Sequence, residues 1–275
     1  MTEPDDAPPE TLQEYFVVQL RRFRHDRGLS QTQLAERINF SPGLISMVET
    51  LQRNPTADFT AACDAALDTG GALSALLPML AREAYPTWFR SFAALEAEAV
   101  GIEDFEVQLV PGLLQTEDYA RAVFELAWPL PSDDEINQML QARMERQYIL
   151  DRAVPPTYWA VLDESVLIRR VGTAQTMAGQ LAHMIGLAER PNVLLQILPI
   201  DRAGRAPLDG SFVVLQLERN ERLAYTEGLG SGKLLPEPRD VDRAARALNV
   251  VRSEALSARE SIARIAFLRE KLYDC

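Results

Sequence analysis

Apolar positions recur every three to four residues in the first stretch of the chain. Between Leu12 and Phe23 they are Leu12, Tyr15, Phe16, Leu20 and Phe23, one stripe of an amphipathic helix that Gly28 stops. Arg21, Arg22, Arg24 and Arg27 gather at its end, where cations complement the helix dipole. Ser30 opens a second helix and Gln33 follows three residues later, a capping box, with Leu29 and Leu34 as the hydrophobic staple. Leu34, Ala35 and Ile38 then face inward, and the helix ends near Asn39. Ser41 caps a third helix, and Pro42 falls at its first position, where a missing N–H costs nothing. Ile45 and Val48 have the spacing of a buried face, which leaves Pro42, Gly43, Ser46 and Met47 on the other. Thr56 caps a fourth helix running to about Leu67, and "ALSALLPML" supplies a short fifth. The pattern predicts an all-α five-helix domain over residues 12–80, preceded by an acidic, Pro-rich disordered tail at residues 1–11.

Residues 81–98 read as a connecting helix with Trp88, Phe89, Phe92 and Leu95 on one stripe. The period then changes. Phe105, Val107 and Leu109 alternate with Glu106 and Gln108, which marks a strand. Thr116 and Ser132 cap two helices, the second ending before Pro155. "TYWAVL", "NVLLQILPI", "GSFVVLQLE" and "RLAYTE" read as strands, with a helix between the first two and two amphipathic helices closing the chain. Strands alternating with helices predict a mixed α/β or α+β domain over residues 99–275.

Composition narrows the function. The chain has 275 residues, enough for two domains. Its net charge of −12 excludes a protein that coats nucleic acid throughout. Locally the sign differs: residues 12–57 hold six arginines (Arg21, Arg22, Arg24, Arg27, Arg37, Arg53) against Glu14, Asp26, Glu36 and Glu49, a net of +2. Cys63 and Cys275 are the only cysteines, which argues against a disulfide framework or a Cys-based zinc site and suits Cys63 as a small core residue. No apolar run approaches membrane-spanning length and no signal peptide is recognisable, so the expected compartment is the cytoplasm, without membrane contact.

Two short capped helices joined by a tight turn within a helical cluster make a helix-turn-helix. The stretch "GLSQTQLAERINFSPGLISMVETLQRNPT" resembles the phage-repressor, Cro and XRE family. The resemblance implies a sequence-specific regulator binding double-stranded DNA, with Gln31 on phosphate and Pro42, Gly43, Ser46 and Met47 at base edges. It also implies backbone contacts from Thr50, Arg53 and Asn54, and Ser41 completes the DNA-binding set as the cap of the reading helix. Leu51 stands where the family often has glycine. The strong base readers, Arg for guanine and Asn or Gln for adenine, are missing from the front of this helix. That leaves Ser46, apolar contact from Pro42 or Met47, and close backbone approach at Gly43, so phosphate positioning and DNA shape are expected to carry much of the recognition. One reading unit covers a half-site, so a homodimer on an inverted repeat is expected.

"LVPGLLQTEDYARA", "LDESVL" and "ALSARESIARI" are similar to the C-terminal domain of the WhiJ-type regulators of actinomycetes. That resemblance implies a transcription regulator, in some members antitoxin-like beside a small partner protein, and it supplies neither ligand nor catalytic residues. Three roles stay open for residues 99–275: a small-molecule sensor, a platform for a protein partner, or a dimerisation module. Trp88, Trp128, Tyr158 and Trp159 suit a ligand cavity, with core packing the favoured alternative. Asp163, Glu164 and Glu227 are the weaker enzymatic candidates, with the first two read as a cap for the following turn. His183 lacks a metal-ligand neighbour, and "GLGSGK" lacks the hydroxyl residue a phosphate loop requires. No catalytic residue, metal or cofactor is expected.

Overall fold

The computed structural model describes residues 9, 11–77, 79–80, 85–202 and 210–273. Most of the expected N-terminal tail, the first four residues of the expected connecting helix and Cys275 lie outside them. The chain forms two compact units, one of Met1–Tyr85 with Ser132–Ala142, the other of Pro86–Pro131 with Arg143–Cys275. Side chains account for the return of Ser132–Ala142 to the first unit: the Gln141 amide donates to the Pro55 carbonyl at 2.7 Å and the Tyr85 hydroxyl to the Ala142 carbonyl at 2.8 Å.

The first unit contains α1 (Leu12–Asp26), α2 (Gln31–Ile38), α3 (Pro42–Glu49) and α4 (Ala57–Leu67). Each starts at a side-chain cap that satisfies otherwise orphaned N–H groups. Thr11 and Glu14 form one capping box and Ser30 and Gln33 another, while Ser41 and Thr56 cap α3 and α4. The fifth expected helix is a 3-10 turn at Ser74–Leu76, followed by helical residues at 77, 79 and 80. Phe16, Leu20, Leu34, Ala35, Ile38, Ile45, Val48, Phe59, Cys63 and Leu67 close over one another as the core. Burial, helped by Asp64 and Glu49, pushes the Cys63 thiol up to about 12, so it is an inert core group. The Asp64 carboxylate organises the segment after α4, accepting from the Leu73 and Ser74 amides at 3.0 and 2.9 Å and from the Thr69 hydroxyl. Burial pushes its pKa up, but these hydrogen bonds outweigh burial and leave it below the ordinary value. Its folded pKa is therefore the depressed one. The stability it contributes is present above the unfolded carboxyl pKa and is lost as pH falls through the folded one.

The second unit is built on a six-stranded sheet of β1 (Gly101–Glu106), β2 (Thr157–Asp163), β3 (Val193–Leu198), β4 (Phe212–Gln216), β5 (Arg222–Gly228) and β6 (Ser231–Leu235). The strand order is β3-β2-β1-β4-β5-β6. β1 pairs parallel with β2, and β2 with β3; β4, β5 and β6 extend the other edge antiparallel. The helices are α5 (Thr87–Glu98), α6 (Glu117–Glu125), α7 (Asp133–Gln147), whose residues up to Ala142 belong to the first unit, α8 (Ser165–Ile168), α9 (Ala174–Leu187), α10 (Pro238–Glu254) and α11 (Ala258–Leu272). On one face Val241, Leu248 and Val251 of α10 pack onto Phe105, Val161, Phe212, Val214 and Ala224. The opposite face meets α5, where the Phe92 and Tyr225 rings stack at 4.0 Å. This is the mixed α/β domain expected.

In the second unit two elements differ from the sequence pattern. The strand expected around Phe105–Leu109 begins at Gly101 and ends at Glu106. It is central and covered on both faces, so its burial does not follow simple alternation. The stretch Gly228–Lys233, expected as a loop between sheet and helix, holds the end of β5, the hairpin turn at Leu229 and Gly230, and the start of β6, with Gly230 at φ +65° where an L side chain would be strained.

Candidate nucleic-acid interface

Local chemistry sets the α2–α3 turn. Asn39 ends α2 in the left-handed region (φ 57°), a conformation asparagine tolerates, and Ser41 accepts from the Leu44 amide at 3.2 Å to start α3. Ile45 and Val48 are fully buried beneath α3. Ser41, Pro42 and Gly43 are exposed, and Ser46 and Met47 are half-buried, so these residues form one outward front. A DNA groove would meet backbone and small side chains there.

The other DNA-binding candidates are held differently. The Gln31 amide donates to Glu49 Oε2 at 2.9 Å, which orients it beside the C-terminal end of α3 and leaves one N–H for a phosphate. The Thr50 hydroxyl donates to the Ser46 carbonyl at 2.7 Å, so toward DNA it offers an oxygen lone pair. Asn54 is half-buried and Arg53 exposed.

Glu49 organises this surface. Its carboxylate accepts from Arg24 through both oxygens, at 2.7 and 2.9 Å, and Arg24 also donates to the Leu29 carbonyl at 2.9 Å. Arg21 donates to the Glu49 carbonyl at 2.6 Å. Arg24 and Glu49 are both buried, a bidentate pair that fixes α3 to α1. Sequence reasoning placed Arg24 at a helix end and missed the pair. The available signal was positional: Arg24 continues the Phe16–Leu20 stripe at i+4, and Glu49 lies at i+4 from Ile45.

These pairs thin the positive charge. Of the six arginines in residues 12–57, Arg21 and Arg24 serve Glu49, Arg22 lies 3.9 Å from Asp26 and Arg27 3.2 Å from Asp68. Arg37 and Arg53 are exposed, with no partner among the described residues. With few phosphate neutralisers, binding should lose little affinity per increment of salt, each phosphate contact adding about −0.9 to the logarithmic slope.

After α3, Leu51 adopts φ 64° in the position where glycine is common in the resembled family. The backbone thus takes the glycine-type turn and strains the leucine, at a cost of about 1–2 kcal/mol. Leu51→Gly removes that strain but frees the unfolded chain by about 0.5–1 kcal/mol. A net stabilisation of up to about 1.5 kcal/mol is expected in urea unfolding, and a loss of stability would contradict this account of the turn.

Two of the three acidic candidates of the second unit, Asp163 and Glu164, are already engaged. Asp163 accepts from the Ser165 amide at 2.9 Å, capping the turn into α8. Glu164 takes Arg264 and, at 3.2 Å, the Ile200 amide. His183 is exposed on α9, and Trp128, offered as a cavity wall, is 95% exposed. No group among the described residues could hold a metal ion, and no described helix is long and apolar enough to cross a membrane.

The comparisons agree with this geometry. A family model described as a helix-turn-helix domain matches residues 16–77, and one described as a domain of unknown function (DUF5753) matches residues 89–266. No curated protein and no solved structure matches the chain.

Proposed function

Because the chain belongs to the DUF5753 family and carries a helix-turn-helix domain ahead of that match, we propose that it is a sequence-specific regulator of transcription. It acts as a homodimer on an inverted repeat, and its C-terminal domain tunes DNA affinity through a small ligand. The helix-turn-helix domain supports the DNA-binding regulator itself. The observation that carries the proposal is the outward front of α3, with Ser41, Pro42 and Gly43 exposed over a buried Ile45–Val48 face. A helix with that division presents its N-terminal turn to a groove while its other side is fixed to the core. Ser46 is the polar reader and Arg53 the phosphate contact.

A scan of binding sites separates these roles. Arg53→Ala is expected to weaken binding on every sequence and to lower the salt slope by about 1, whereas Ser46→Ala changes preference at one position per half-site. Absence of any effect from both would overturn the assignment, and so would genome-wide mapping that finds no enriched inverted repeat.

A second reading is an antitoxin-like protein of the WhiJ type that restrains a small partner and autoregulates. What favours it is the exposed apolar run Leu126, Trp128 and Leu130, 67%, 95% and 62% exposed, the kind of surface that protein partners cover. Co-purification of the product of an adjacent small gene would support it.

A further inference from the structure

The sheet face opposite α10 carries acids in its interior. Phe105 belongs to the α10 core, so Asp104 and Glu106, its neighbours on β1, point the other way. Ala224 belongs to the same core, which sends Tyr225 and Glu227 of β5 to the Asp104 side. The register places Asp104 opposite Val213, and Val213 opposite Tyr225. Three carboxylates therefore share one stretch of one face. They step inward from solvent: Glu227 is exposed, Glu106 half-buried and Asp104 only 6% exposed.

Their partners are few. Glu96 of α5 is near them, but Arg146 takes both of its oxygens, the second at 3.0 Å. Arg143 donates to Gln115. Asp104 Oδ2 accepts from the Tyr158 hydroxyl at 2.8 Å, while Asp104 Oδ1 is buried without a hydrogen-bond partner. Glu106 accepts from the Ser211 hydroxyl at 2.5 Å. Among the described residues, Asp104, Glu106 and Glu227 form no ion pair. An orphaned carboxylate oxygen at that depth is costly and calls for a partner that arrives from outside.

We infer that this acid-lined face is the binding site for a small organic cation, an ammonium or guanidinium group held by Asp104, Glu106 and Glu227. The sign of the site excludes an anion. A cationic N–H would satisfy Asp104 Oδ1. The electrostatics agree. Burial raises the Asp104 pKa to about 7; the Tyr158 hydrogen bond and Arg146 lower it, and Glu96 and Glu227 raise it further. Burial, then Asp104, holds Glu106 well above its ordinary value, with Glu227 adding and Ser211 and Arg143 opposing. Both carboxyls therefore hold a proton more tightly than ordinary ones, and a cation would compete with it. This inference deepens the ligand-tuned reading, and only its regulatory consequence rests on that reading.

The test is calorimetric titration of the full chain with butylamine and with butylguanidine, using butanol as the uncharged control at matched ionic strength. Saturable binding of either cation is expected at pH 8, about tenfold weaker at pH 6, where Asp104 is mostly protonated and the ligand is still charged. Asp104→Asn and Glu106→Gln should each weaken binding by about tenfold or more, and Asp242→Asn, an exposed acid on α10, should leave it unchanged. No saturable heat with either cation, or equal affinity in the wild type and Asp104→Asn, overturns the site. Operator affinity is measured in parallel. If a cation binds and operator affinity does not move, the site stands and the regulatory reading falls. If neither cation binds while the operator still does, the site falls and the DNA-binding reading stands.

Discussion

Replacing Glu49 with alanine is expected to unfold the helix-turn-helix unit near physiological temperature. Glu49 is 3% exposed and Arg24 7%, and their guanidinium–carboxylate contact is bidentate. Removing one partner leaves the other charge buried, which costs about 3–5 kcal/mol. In a unit of this size that lowers Tm by more than about 10 °C. The loss spreads to the interface, because Arg21 and Gln31 are also held by Glu49. Calorimetry should show one transition moving down while a second, from the sheet domain, stays in place, and operator binding should fall with the first. The double variant Arg24→Met with Glu49→Leu is the control. It replaces the pair with apolar groups of similar volume, a change that is often neutral or stabilising, so it should recover most of the lost Tm. It would not restore the orientation of Gln31, so a residual loss of DNA affinity at restored stability would measure what that orientation contributes. A Glu49→Ala variant destabilised by less than about 1 kcal/mol would mean that the pair does not hold α3 to α1.

What could be read from the chain was local. The Ser30–Gln33 box, the Ser41 and Thr56 caps and the Ile45–Val48 face all depend on residues within four positions of one another, and all are in the structure. The Arg24–Glu49 pair joins residues 25 positions apart, and each partner alone has the look of a solvated charge. The same holds on β1. Glu106 beside Phe105 reads as the wet side of a strand, but β1 is central in the sheet and helices cover both faces, so on its polar side Asp104 is buried and Glu106 half-buried. The edge strand β6, in "SGKLL", was hidden by its glycine and lysine, since edge strands tolerate residues that central strands do not. Leu51 shows the limit of reading by resemblance: its backbone takes the glycine conformation with a leucine.

Asp104→Asn is expected to stabilise the sheet domain at alkaline pH and to do little in acid. The folded pKa of Asp104, about 7, is raised above the ordinary 3.8, first by burial. A raised carboxyl pKa means that the folded state holds the proton more tightly than the unfolded chain. The resulting stability is fully present below the unfolded pKa, near 4, and disappears as pH rises through about 7. A shift of that size corresponds to a few kcal/mol, at about 1.4 kcal/mol per unit. Glu106 titrates on the same face, so the loss is shared between the two groups. Asparagine carries no charge at any pH and keeps an oxygen to accept from the Tyr158 hydroxyl. In the wild type, Tm of the sheet domain should therefore fall between pH 5 and pH 8, and the fall should be much smaller in Asp104→Asn. The two proteins should converge at the acid end, and the variant should be more stable by several degrees at the alkaline end. A saturating organic cation should flatten the wild-type curve in the same way, because it replaces the lost proton with a fixed positive charge. If the wild type and Asp104→Asn run parallel across that range, Asp104 is ionised throughout, and the burial that sets its pKa is not that of the folded protein in solution.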